Sequence, residues 1–166
     1  MKKIDPKLIE NNVIEMIGEQ WMLISAGKPG RMNTMTASWG MMGQLWNKPV
    51  VQIFIRPQRH TLGFVEREES FTLSFFDEKY RPALQICGNV SGRDGDKAAR
   101  AGLTPVATPG GSVSFDEASL VLECRKLYAD RLREDNFTDG SMAGKIYPEK
   151  DFHHIFIGEI TAAWIK

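Results

Sequence analysis

The chain has 166 residues, 42% of them hydrophobic and 25% charged, which suits a single domain over 1–166 that can bury a core without staples. Lys plus Arg equals Asp plus Glu at 21 each, so no general attraction to nucleic acid or to a membrane surface is expected, and any anion site must be local. The opening MKKIDPKLIENN lacks the apolar run of a signal peptide and no stretch approaches the roughly 20 apolar residues of a membrane span, so a cytoplasmic protein is expected.

In chain order, residues 6–19 are predicted to start a helix, with Asp5 as cap and Pro6 at the first helical position. WMLISAG (21–27) reads as a strand, KPGR (28–31) as a turn and MNTMTASW (32–39) as the returning strand. VVQIFIRP (50–57) is a β-branched run expected to be buried on both faces and to stop at Pro57. RHTLGFVERE (59–68) has helical spacing. SFTLSFF (70–76) alternates, with Phe71, Leu73 and Phe75 on one face.

Two short helices follow: 79–88, stopped by Gly88, and 92–102, opened by Asp94 or Asp96 and stopped by Gly102. Residues 103–115 read as irregular. ASLVLECRKLYADR (118–131) and HHIFIGEITAAWIK (153–166) read as long strands, the second bulged or bent at its glycine. About six strands and two to four short helices, without a βαβ rhythm, predict a mainly β, closed or half-closed sheet with peripheral helices.

Three stretches carry candidate chemistry. In NTMTASW, strand geometry sends Thr34, Thr36 and Ser38 to one face and Asn33, Met35, Ala37 and Trp39 to the other. Hydroxyls in register make a donor row for an anion or a heteroaromatic edge; they equally suit a solvated strand face. In RPQRHT, Arg56 ends a strand while Arg59, His60 and Thr61 open a helix, whose N-terminus and forked guanidinium donors suit phosphate; the same residues equally suit two surface arginines and a Thr cap. SGRDGDKAA repeats the idea with Gly92, Gly95, Arg93 and Lys97, the cations partly offset by Asp94 and Asp96.

Other chemistry is excluded. Cys87 and Cys124 form no CxxC, and the three His have no zinc-like spacing with them, so no metal site is expected. GxxxxGK[ST] and GxGxxG are both missing. His153 and His154 lie side by side on a strand, so at most one enters a given pocket.

Four ordered motifs belong together: N-x-M-T-x-S-W at 33–39, R-P-x-R-x-T at 56–61, S-G-R-D-x-D-K at 91–97 and H-x-I-F-I-G-E-I at 153–160. With them the chain, over roughly 10–165, resembles the flavin reductase-like, flavoredoxin-type proteins with an FMN-binding split β-barrel of Greek-key-like topology. The resemblance implies that Asn33, Thr34, Met35 and Thr36 line the flavin and that Ser38 and Trp39 sit at its edge or phosphate end. Arg56 and Thr61 would hold the phosphate or ribityl chain, Lys97 would also reach the flavin, and His153 would lie near the pocket. It further implies FMN as cofactor, NADH or NADPH as a transient donor, and a homodimer with the pocket near the interface. No protein acid or base is then required, because the flavin carries the chemistry. The acceptor stays open: free flavin, ferric complexes or another small molecule for a reductase, a redox protein for a flavoredoxin-type carrier, or none for a flavin-free binding module.

Overall fold

The computed structural model describes all 166 residues. Ten strands form: β1 (Lys2–Ile4), β2 (Met22–Lys28), β3 (Arg31–Ala37), β4 (Gly40–Leu45), β5 (Lys48–Ile55), β6 (Ser70–Phe75), β7 (Pro105–Ala107), β8 (Val113–Phe115), β9 (Leu120–Arg131) and β10 (His154–Ile165). The helices are α1 (Val13–Glu15), α2 (His60–Arg67), α3 (Arg81–Asn89), α4 (Lys97–Arg100) and α5 (Gly140–Ile146). No helix is long and apolar enough to cross a membrane.

One antiparallel sheet runs β3-β2-β6-β9-β10-β5-β4, with β1 added on the far half of β10. Its terminal strands β3 and β4 are not hydrogen-bonded to each other, yet only Ser38 and Trp39 separate them in the chain. A Cβ on Gly40 would lie 3.0 Å from Met22 of β2 and 3.2 Å from the Gln52 carbonyl of β5, so the two ends of the sheet meet there. The sheet is a barrel with its seam at the Ser38–Trp39 corner.

Alternation fills the barrel as expected for strands. Met22, Ile24 and Ala26 of β2, Met35 and Ala37 of β3, and Phe71, Leu73 and Phe75 of β6 all enter one buried cluster. Strand β5 also alternates: Val51, Ile53 and Ile55 are buried, whereas Gln52 and Phe54 are half-buried, which corrects the expectation of burial on both faces. Strand β10 shifts register beside Gly158, as its glycine predicted, because a Cβ there would press on Phe71. A second cluster, including Leu23, Leu84, Cys87 and Phe115, packs α3 and α4 on the outside of the barrel. Both cysteines are buried free thiols, and burial pushes the Cys87 thiol up to about 11.

Several elements differ from expectation. The helix predicted over 6–19 becomes a tight turn at Pro6–Leu8 capped by Asp5 and, after a break, α1, which runs into a π-turn at Met16–Gln20. Asn12 caps α1 by accepting from the Ile14 and Glu15 amides, a second start signal that divides the segment. Strand β4 and helix α5 were not expected. Strand β4 joins β5 through Trp46 and Asn47, both at positive φ, a reversed turn made without the usual glycine. Residues 103–115, expected to be irregular, form the β7–β8 hairpin. Its loop is held by the buried Glu123 carboxylate, which accepts from the Thr108 hydroxyl and the Gly110 amide. Asp96, rather than Asp94, caps α4, and Gly88 lies within α3 rather than ending it.

Candidate functional site

The seam of the barrel opens on a line of four clefts that share wall residues in sequence. The first, about 650 Å³, is lined mainly by apolar groups from α1, the Ser38–Trp39 corner and β4, with Phe54 and Tyr147. Through Ser38 it meets a second of about 390 Å³, walled by Trp21, Thr36, Arg59 and Gly88. Through Arg59 and Asn89 this meets a third of about 150 Å³, which holds His60, Thr61, Ser91, Gly92 and Lys97. Gly92 and Lys97 also line the fourth, about 220 Å³, with Asn33, Asp96 and Pro105. The result is a trough that begins apolar and aromatic and ends polar and cationic.

The polar end is where RPQRHT and SGRDGDK converge. Strand β5 stops before Pro57, the chain turns, and α2 begins with no side-chain cap on its first turn, where His60 and Thr61 line the third cleft. Asn33 reaches across from β3 and donates to the Thr61 hydroxyl at 2.9 Å; both are buried. Gly92 is required where it stands, because a Cβ would run into the Asn33 side chain. Lys97 is 5% exposed, and its Nζ donates to the Cys87 and Val90 carbonyls, each at 3.2 Å. Arg59 donates to the Gly88 carbonyl at 2.8 Å, and Arg93 to the Gln58 carbonyl at 3.3 Å.

None of the seven ion pairs in the molecule includes Arg59, Arg93 or Lys97. Burial, reinforced by Arg59, pulls the Lys97 ammonium down to about 8. Burial, with Arg93 and Lys97 nearby, lowers His60 as well. A buried cation held only by carbonyls is poorly compensated unless an anion joins it.

The apolar end is organised differently. Trp39 is 49% exposed at the seam, and its ring lies tilted on His153 at 5.3 Å. His153 is buried, and its Nδ1 is 2.8 Å from the Tyr147 hydroxyl. Burial, with Arg56 nearby, pulls the imidazole down to about 4, so it is neutral near pH 7. Arg56 lies over the Tyr147 ring at 5.0 Å, pairs with Asp151 and donates to the Ile146 carbonyl at 3.0 Å. It therefore clasps the α5 segment and does not enter the cationic cleft.

Of the residues expected at a site, Asn33, Thr61 and Lys97 come together at the polar end, and Ser38, Trp39, Arg56 and His153 gather at the apolar end. The expected donor row is largely occupied within the protein. Thr34 is fully buried, with its hydroxyl 3.2 Å from the Ile24 carbonyl it donates to and 2.8 Å from Ser25 Oγ. Thr36 donates to the Leu84 carbonyl of α3, and Met35 points into the barrel core. Ser38 remains half-buried on the wall between the first two clefts. Arg59, which the RPQRHT motif offered as a phosphate donor at the helix start but the resemblance did not name, lines the second and third clefts, whereas Arg56 lines neither. Nothing in the local sequence marked Tyr147.

The chain matches the model of a family described as the flavin reductase like domain over residues 16–166. It is similar in fold to an FMN-binding domain of a flavin reductases-like enzyme from Shewanella baltica, with a TM-score of 0.70 at 17% identity, covering 99% of this chain and 76% of that one. It is likewise similar to flavoredoxin from Methanosarcina acetivorans, with a TM-score of 0.69 at 22% identity over 100% and 76% of the two chains. A third similar structure is an NADH:FAD oxidoreductase from Streptomyces globisporus, in complex with NAD and FAD fragments, with a TM-score of 0.66 at 17% identity over 89% and 74%. These likenesses give the fold, a split barrel. Among curated proteins, none matches the chain.

Proposed function

The chain belongs to the flavin reductase-like domain family, and on that premise we propose that it is an FMN-binding flavoprotein that uses NADH or NADPH to reduce a small acceptor such as free flavin or a ferric complex. One observation carries the reading. The trough joins an apolar, Trp-walled cleft to a cleft where Arg59 and Lys97 have no carboxylate partner. FMN has the same polarity: a flat aromatic ring at one end and a phosphate at the other.

The residues present fit that molecule. Lys97, Arg59 and the first turn of α2 supply charge and directed donors for a phosphate. Ser38 is a polar group along the middle of the trough, Asn33 lies at its polar end, and Trp39 offers an aromatic wall at its open end. Bound FMN would supply the redox chemistry, accepting hydride from the nicotinamide and passing electrons on. The chain's own work is then to bind, to orient and to exclude water. His153, neutral and bonded to Tyr147, gives that end no extra charge.

The proposal includes a homodimer. Trp39, Met41, Leu45 and Trp46 are exposed around the β4 edge beside the first cleft, and a second copy seated there would shelter both the apolar surface and the open end of the trough. The same exposed patch favours a second reading, a flavoredoxin-type carrier that docks a redox protein. An absorption spectrum after addition of FMN, followed by anaerobic NADH and NADPH, separates these readings. Bound flavin that bleaches rapidly supports the reductase. Bound flavin that stays oxidised until a reduced redox protein is added supports the carrier. A protein that ignores FMN is a different binding module, and the assignment fails.

A further inference from the structure

Resting on the flavin reading of the trough, we infer that this protein selects flavin mononucleotide over flavin adenine dinucleotide, and that Asp96 is the residue that enforces the choice. The order of the clefts gives the direction. A flavin lying with its ring towards Trp39 and its phosphate in the Arg59–Lys97 cleft has its phosphate end beside Gly92 and Lys97. Those two residues also line the fourth cleft. The adenylate half of FAD, attached beyond the phosphate, would extend into that adjoining fourth cleft.

Two features of this cleft oppose the extension. The first is size. Its volume is about 220 Å³, below the roughly 300–1,000 Å³ of pockets that enclose a drug-sized ligand. It must hold a second phosphate, a ribose and an adenine. Its walls cannot retreat easily, because Asn33 is tied to Thr61 and a Cβ on Gly92 would already overlap Asn33. The second is charge. Among all residues lining the four clefts, Asp96 is the one carboxylate. Its Oδ1 accepts from the Ala99 amide at 3.0 Å as the cap of α4, so the carboxylate is pinned at the cleft wall. A second phosphate arriving there meets a fixed like charge, whereas the single phosphate of FMN stops one cleft earlier among the cations.

The cap makes a clean test possible. Asn caps a helix about as well as Asp, so Asp96→Asn removes the charge and keeps α4. Wild-type protein and D96N are titrated with FMN, FAD and riboflavin by calorimetry, and the affinity ratio of FMN to FAD is the quantity read. Removing a unit charge about 4 Å from a phosphate in water is worth about 1 kcal/mol, or roughly fivefold. The wild type is expected to favour FMN, and D96N to narrow the FMN-to-FAD ratio by about fivefold. Equal wild-type affinity for FMN and FAD overturns the inference. A ratio unchanged in D96N overturns the role of Asp96. A selective loss of FAD binding in D96N would make the carboxylate an acceptor for the dinucleotide, the opposite of its assigned role. If no flavin binds the wild type, the flavin reading itself fails, a result distinct from all of these.

Discussion

The two ends of the trough each hold buried or half-buried cations, and they treat them in opposite ways. At the apolar end Arg56 is fully engaged: Asp151 neutralises it, the Ile146 carbonyl accepts from it and Tyr147 lies beneath it. At the polar end Lys97 is deeper still and has only carbonyls, with Arg59 adding to the positive charge around it. On the proposed reading, the difference separates the arginine that serves the fold from the cations that would serve a ligand. A buried charge with a matched partner is part of the structure, and one without a partner marks a place where the molecule expects an anion.

Like-sized substitutions at the two ends break the comparison most forcefully. Lys97→Met keeps the volume and removes the cation. It is expected to weaken FMN binding by about 10- to 100-fold, the worth of one charge-assisted hydrogen bond of about 1.5–3 kcal/mol, in a calorimetric titration. The same variant should melt at or above the wild-type temperature without ligand, because it relieves an uncompensated buried charge. Arg56→Met should show the reverse pattern. It leaves Asp151 without its partner and frees the α5 segment, so the melting temperature falls by several degrees while FMN affinity changes much less than in K97M. If the two variants behave alike, the distinction between the ends is wrong.

Smaller effects sharpen the picture. Trp39→Ala removes the aromatic wall of the first cleft, and FMN binding is expected to weaken by about two- to tenfold, the usual range for one aromatic pair. Smaller again is a pH effect at the apolar end. His153 titrates at about 4 in the fold against 6.5 when unperturbed. Between those values the unfolded chain takes up a proton that the folded chain refuses. The stability from the neutral imidazole is therefore complete above pH 6.5 and is lost as pH falls towards 4, with a slope of no more than about 1.4 kcal/mol per pH unit. His153→Gln should flatten that part of a stability-versus-pH curve measured by denaturant unfolding.

Much of the barrel was legible from period-two alternation, because a strand with one buried face must place its apolar residues two apart. Phe71, Leu73 and Phe75 followed from that rule, and the bulge near Gly158 from the glycine set inside a strand pattern. Strand β4 escaped because GMMGQL has two glycines and no β-branched residue, and because its turn uses Trp46 and Asn47. Helix α5 escaped because its seven residues, GSMAGKI, include two glycines, and its small core of Ala143, Tyr147 and Phe152 forms only in three dimensions. At the site, both basic motifs were visible, and so was their suitability for an anion. The assignment within RPQRHT was not. Arg56 and Arg59 are three residues apart with equal charge, and the contact that separates their roles comes from Asp151, 95 positions along the chain.

The account rests on the phosphate. The most direct measurement is a pair of titrations, FMN and riboflavin, on wild-type protein and on K97M, since the two ligands differ only in that group. The account predicts that FMN binds the wild type about 100-fold more tightly than riboflavin, a difference near 2.7 kcal/mol, and that most of the gap closes in K97M. Equal affinities for FMN and riboflavin in the wild type would contradict it, and the three unpaired cations would then need another anion.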